Sequence, residues 1–249
     1  DVFGRMVAAS LTERLGNQVI VDNRGGAGGI IGTDLAAKSS PNGYTVVIVA
    51  GSFTIYPALQ ALPFDPVKSF APIARLASGP NALTVHPSLP VKSVTELIAL
   101  AKRKPGQLIF GTSGIAGSGH MSTELFKLIA GVDFLIVHYK GGGPAMIDLL
   151  GGQIHATIGS VIQTMPHIKS GKLKILGTGG ARRGAILPDV PTIAESGLPG
   201  YESTVWFGML APAGTPTPIV ERLSGELRTI VASSEAKRRF QNEGVEAAY

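Results

Sequence analysis

Cysteine is missing from all 249 residues, which excludes disulfides, thiolate catalysis and zinc–sulfur sites. No apolar run approaches the roughly eighteen residues that a membrane-spanning helix needs. Charge is sparse at 16%, and acid is the scarcer sign: 17 Asp and Glu against 22 Lys and Arg, a net charge of +5. Carboxylates are thin around the glycine-rich loops, with no pair spaced for acid–base work. The histidines, His86, His120, His138, His155 and His167, never fall at metal-ligand spacing, and each reads as a satisfied structural residue. No phosphate loop of the form G-x-x-x-x-G-K-[ST] occurs. Gly26, Gly28 and Gly32 of "RGGAGGIIG" miss the dinucleotide spacing by one residue and read as a tight strand-to-helix connection. A basic balance can serve nucleic acid. Here Lys102-Arg103-Lys104, Arg182-Arg183 and Lys237-Arg238-Arg239 lie far apart without aromatic neighbours, as solvated helix ends and loops do.

What is present is an alternation of hydrophobic periods, strand then helix, along most of the chain. Residues 1–15 carry a helical apolar face closed by Gly16. "QVIVD" and "YTVVIVA" read as buried strands, with a helix over 29–38 between them. Ser93-Val94-Thr95-Glu96 is a full capping box and opens a helix that stops at Pro105-Gly106. Strands follow at "QLIFGT", "DFLIVHY", "HATIGS" and "LKILGTG", alternating with helices over 119–130, 144–150 and 161–169. This is an α/β plan with mostly parallel sheets. Two long strand-like runs, "NALTVHP" and "STVWFGMLAPAG", break the rhythm and predict two lobes joined by two crossing strands. The first lobe takes 1–104 and 206–249, the second 105–205. Trp206, in the second run, is either a core residue or part of a cleft wall.

The stretch "FGTSGIAGSGHMSTELF" puts nine Gly, Ser and Thr residues into seventeen positions and then turns helical, with Met121, Leu125, Leu128 and Ile129 as its apolar face. The first N–H groups of a helix have no intrahelical acceptor, and the dipole adds partial positive charge there. Gly111, Gly114, Gly117 and Gly119 let backbone approach a ligand, while Thr112, Ser113 and Ser118 add hydroxyls. The pattern suits a carboxylate, phosphate or sulfate; the alternative is a loop that merely turns the chain. Micromolar binding needs about 8 kcal/mol, and each hydrogen bond to a charged ligand contributes about 1.5–3 kcal/mol, so several loops must converge. "YKGGGPAM" (139–146, with Gly142) and "VAGSF" (49–53) have the same make-up. Catalysis reads poorly, because Gly111-Thr112-Ser113-Gly114-Ile115 fails the nucleophile elbow at its last place. His120 better suits a donor to a ligand or a cap of its own turn.

"VDNRGGAGGIIGTDLAAKSSPNGYTVVI", "FGTSGIAGSGHMSTELF", "VHYKGGGPAMIDLLGGQI" and "LPDVPTIAESGLPGYESTVWFGMLAPAGTP" together resemble the Bug receptors, the extracytoplasmic solute-binding proteins of tripartite tricarboxylate transporters. The resemblance runs in order over nearly the whole chain. It implies a two-lobed type II periplasmic-binding-protein fold, a periplasmic location, and closure on a small carboxylate: a dicarboxylate, acidic amino acid, citrate-like or aromatic acid. It also implies membrane transporter subunits as partners, a monomer, and neither catalysis, metal nor cofactor. Carried over, Thr112, Ser113, Gly114, Gly117, Ser118, Gly119 and His120 match the second-lobe carboxylate loop. Gly51, Ser52, Phe53 and Asn81 resemble first-lobe positions near the cleft. The family's acidic-Asn pair is Gly159-Ser160 here, smaller and neutral. Family members begin with a strand and a Pro/Gly-rich loop that runs into an Asp matched by Asp1. The resemblance therefore implies that strand and loop ahead of Asp1, and a longer helical tail after Tyr249.

A rival reading makes the chain an acyl or phosphoryl hydrolase using Ser113 and His120. A third, nucleic-acid or surface adhesion through the basic charge, predicts steep salt dependence.

Overall fold

The computed structural model describes residues 2–184, 187–242 and 245–248; Asp1 lies outside them. The chain forms two compact units: unit 1 (Asp1–Ser78, Trp206–Phe240, Glu246–Tyr249) and unit 2 (Gly79–Val205, Gln241–Val245). Residues 79–104, expected in the first lobe, group with unit 2. Two strands pass from one unit to the other, β2 (Phe70–Val85) and β7 (Thr204–Pro212). The β7 crossing falls within "STVWFGMLAPAG", whereas the β2 crossing, between Ser78 and Gly79, precedes "NALTVHP".

In unit 1, α1 (Val2–Leu15) ends at Gly16, whose N–H donates to Thr12 O with a left-handed φ of 66°. Val7 and Leu11 are buried, and Phe3 stacks on Phe207 and leans against Phe240. A short turn leads into α2 (Ile30–Ala37), and there a Cβ on Gly28 would lie 1.4 Å from the Tyr56 hydroxyl. β1 (Val47–Ala50) pairs antiparallel with β7, and β8 (Glu246–Ala247) antiparallel with β2. α3 (Ser52–Ile55), α8 (Thr217–Ala232) and α9 (Ser234–Asn242) complete the unit.

"QVIVD" is not a strand. An apolar run becomes a strand only when its backbone finds a partner, and residues 18–22 pair with no strand among the described residues. Ile20 is 78% exposed. Residues 17–25, β1 and α2 instead line a cavity of about 1490 Å³.

Unit 2 holds β3 (Ile109–Thr112), β4 (Leu135–His138), β5 (Ala156–Ser160) and β6 (Lys174–Thr178), with α4 (Val94–Arg103), α5 (Ser118–Ala130), α6 (Gly142–Leu150) and α7 (Val161–Lys169). β3 pairs parallel with both β4 and β5, whereas the unit 2 half of β2 pairs antiparallel with β5 and β6. The sheets are therefore less parallel than expected. The pairs described in unit 1 are antiparallel, and the βα rhythm gives parallel pairing only where a helix returns the chain. Phe110 and Phe134 stack at 4.0 Å in a core shared with Leu83, Leu97, Phe126 and Ile158.

α5 turns a different face inward from the one its large residues suggest. Leu128 is 79% exposed, while Gly119, Ser122, Thr123 and Phe126 are buried. Small residues allow its first turn to lie directly on β5. A Cβ at Gly119 would come 2.6 Å from the Ile158 carbonyl.

Candidate functional site

The parallel strands β4, β3 and β5 end along one edge of unit 2, and a helix begins after each of them. None of α5, α6 and α7 has a side-chain hydrogen bond at its N-cap, which are Gly117, Gly141 and Ser160. Their first N–H groups are left without intrahelical acceptors, and three dipoles present positive ends. α4 is the contrast. Ser93 Oγ accepts from Glu96 N at 3.1 Å, and Glu96 returns a bond to Lys92 N at 2.7 Å.

The loops at this edge are laced together. Tyr139 N donates to Thr112 O at 3.0 Å and Gly141 N to Ser113 O at 3.1 Å, which joins the β4–α6 loop to the β3–α5 loop. Thr112 Oγ1 lies 2.8 Å from His138 Nδ1. Gly142 abuts Gln163 of α7, whose amide a Cβ there would overlap. Ala116 holds a left-handed φ of 60° while its side chain is buried, a strained conformation that surrounding structure must over-determine. His120 does so by accepting from Ala116 N through Nδ1 at 3.1 Å. Burial holds the His120 imidazole below the usual histidine range; the neighbouring His138 ring, edge-on at 4.6 Å, adds to this while Glu124 opposes it. With Nδ1 engaged, that nitrogen does not take a proton from Ser113. Of the two roles expected for His120, the structure shows the cap of its own turn.

Unit 2 thus brings together Thr112, Ser113, Gly114, Gly117, Ser118, Gly119, His120, Gly142, Ser160 and Asn81. Asn81 falls in unit 2, not in the first lobe, because β2 crosses between units at residues 78 and 79. It is fully buried and donates to Ser122 Oγ and Ser203 Oγ. Gly51, Ser52 and Phe53 belong to unit 1. Gly51 lies against the half-buried Trp206 indole, which is therefore not a core residue, and Phe53 packs among Phe64 and Phe70.

Sequence reasoning missed His138, Ser122, Gln163 and Ser203. His138 carried a signal, since it ends the strand beside Thr112. Ser203 carried none, being 122 residues from Asn81. Among the described residues no group of three His, Asp or Glu could hold a metal, and no helix is long and apolar enough to cross a membrane.

The chain is 36% identical over 247 residues to the protein BugT of Bordetella pertussis, covering 98% of this chain and 76% of that one. A solved structure of Rpa4515 from R. palustris with adipate superposes with a TM-score of 0.96 at 37% identity, covering 99% of this chain and 83% of that one. MatC from Rhodopseudomonas palustris with bound malate gives 0.90 at 28%, covering 99% and 84%. The α/β fold is that of these solute-binding structures. Residues 3–249 match the tripartite tricarboxylate transporter family receptor, and the chain belongs to that family of receptors.

Proposed function

We propose that the chain is a periplasmic receptor that captures a small carboxylate at the α5–α6–α7 edge of unit 2 and delivers it to the membrane subunits of a tripartite tricarboxylate transporter. The observation that carries this is the three helix starts whose donors are not spent on side-chain caps. Family membership supports it, as do the adipate and malate named with two similar structures. Thr112, Ser113, Ser118 and the backbone from Gly114 to Gly119 are assigned the carboxylate, with Gly142 and Ser160 beside them. His120 is a positioning residue that holds the loop. Gly51, Ser52 and Phe53 of unit 1 are assigned a share of the ligand contacts. The ligand favours a closed state through differential affinity, and the receptor works as a monomer.

A thermal-shift panel of mono-, di- and tricarboxylates, acidic amino acids, aromatic acids and nucleotides tests the reading. A ligand at a hundred times its Kd adds about 2.7 kcal/mol, roughly 5–10 °C for a chain of this size. A shift with one carboxylate class is the expected result; a flat carboxylate panel with a nucleotide shift overturns it. Small-angle scattering with and without the active acid reads closure, and sedimentation reads the monomer.

A further inference from the structure

Cations far apart in the chain meet at one end of the unit 2 sheet. β5 and β6 both run antiparallel to β2, and β3 runs parallel to β4 and β5, so β3, β4, β5 and β6 all start at that end. α4, α5, α6 and α7 precede those four strands and finish there. The loops are tied together: Gly106 N donates to Asp133 O at 3.2 Å, His155 N to Ile109 O at 2.9 Å, and Lys174 Nζ to Pro87 O at 3.0 Å. Lys102 and Arg103 sit in the last turn of α4, Lys127 in that of α5 and Lys169 in that of α7. Lys104, Lys172 and Lys174 follow between helix end and strand start. The carboxylates in the same segments are Asp133 and Asp148.

Seven cations thus face two carboxylates. The chain holds 22 cations and 17 acids, so its whole +5 excess sits at this end and the rest balances one for one. Lys102, Arg103, Lys104, Lys169 and Lys172 are exposed and have no ion-pair partner among the described residues; Lys127 pairs with Glu124 at 3.6 Å and Asp133 at 3.2 Å. Cations in a last turn complement the helix dipole, which accounts for four of the seven. It accounts neither for Lys104, Lys172 and Lys174 nor for a second feature of the same segments. Among the described residues of unit 2, four of the five exposed large apolar side chains, Leu128, Ile129, Leu135 and Ile147, also lie here. They stand in the last turns of α5 and α6 and at the start of β4, the outermost strand of this sheet.

A partner for this surface must be anionic, extended and apolar beneath its charge. From β3 to β6 the cations span three strand spacings, about 14 Å at about 4.8 Å each, too wide for one small anion. Six are lysines, point charges on flexible stems that suit a diffuse negative field better than a shaped anion site. The length of β5, about 13 Å at about 3.3 Å per residue, separates them from the ligand edge. That exceeds the Debye length of about 8 Å at physiological salt, so they do not belong to the carboxylate site. We propose that this end of unit 2 docks the receptor on a bilayer of anionic phospholipid, with headgroup phosphates taking the cations and the four aliphatic side chains entering the headgroup layer. The proposal rests on the receptor reading above only for its setting, a periplasm bounded by membrane. Each cation near an anionic bilayer strengthens binding about fivefold.

Co-sedimentation of the full chain with vesicles at about 0.15 M salt tests this, using equal parts phosphatidylglycerol and phosphatidylcholine against phosphatidylcholine alone. The expected result is binding to the anionic vesicles only, weakened by added salt. Replacing Lys102, Arg103 and Lys104 together by Gln lowers the partition coefficient about 100-fold. Leu128→Ser with Ile147→Ser lowers it about tenfold. Replacing Lys68, Lys237 and Arg238 of unit 1 by Gln removes the same charge and leaves partitioning unchanged. An equal loss in that control assigns the effect to net charge and overturns the inference. So does equal binding to both vesicles, or no binding to either. Retention on a polyglutamate resin without vesicle binding reassigns the surface to an acidic protein segment and likewise overturns it. Vesicle binding is read without any carboxylate, so a chain that docks on vesicles but binds no acid overturns the receptor reading alone.

Discussion

The two edges of the unit 2 sheet treat their helix starts in opposite ways. At one, α4 begins with Ser93 and Glu96 exchanging hydrogen bonds with its first turn, while Val94, Leu97, Leu100 and Ala101 bury its inner face. At the other, α5, α6 and α7 begin at Gly117, Gly141 and Ser160 with no such exchange. A capped start spends its donors on stability; an uncapped one leaves them without a side-chain acceptor. Stability at the second edge comes instead from loop-to-loop bonds, such as Gly141 N to Ser113 O, and from the His120 and His138 rings. The cost shows in the left-handed Ala116.

The largest expected effect breaks the uncapped edge. Gly119→Val places a branched side chain where even a Cβ lies 2.6 Å from a backbone oxygen. It lifts α5 off β5 and abolishes carboxylate binding by calorimetry, with a stability loss of about 1–3 kcal/mol from overpacking. Next, Ser113→Ala or Ser118→Ala removes one hydroxyl of those the proposed function assigns to the carboxylate. Affinity falls about ten- to 150-fold, for a bond of about 1.5–3 kcal/mol, while the ligand-free melting temperature is unchanged. The capped edge reverses that signature. Ser93→Ala costs about 1 kcal/mol of stability, or about 2–4 °C in a melt, and leaves carboxylate affinity intact. Equal loss of affinity in Ser93→Ala and Ser118→Ala erases the distinction between the edges.

The smallest effect is in pH. Burial and a neighbouring imidazole hold both His120 and His155 below the usual histidine range. The folded state therefore prefers these rings neutral. Their contribution is intact above the unfolded value of about 6.5 and is lost as pH falls below it. Stability measured by urea unfolding declines as pH falls below about 6.5, and the decline is shallower in His120→Asn. Exchange of the Ala116 amide, whose acceptor is His120 Nδ1, speeds up over the same range.

Most of unit 2 could be read from the chain. β3, α5, β4, α6, β5, α7 and β6 fall where hydrophobic period and turn residues put them, because each element buries one face and a short loop returns the chain. Residues 70–80 were illegible as strand. Pro72 and Pro80 punctuate the pattern as breakers, yet β2 runs through both because it passes between units. "QVIVD" was legible and wrong, since strand propensity does nothing without a partner backbone.

The Gly and Ser loop from Thr112 to His120 stood out by its composition, and the chain's family was visible in its motifs. Local composition determined that much: glycine permits close backbone approach, hydroxyls donate, and periodicity assigns a segment to helix or strand. Only the tertiary structure decided which loops meet and which protons are already spent. Asn81, Ser122 and Ser203 are separated by 41 and 81 residues along the chain, yet their side chains hydrogen-bond one another at the root of α5. Whether a polar atom is free for a ligand depends on who stands beside it, and contact order of that kind leaves no local trace in sequence.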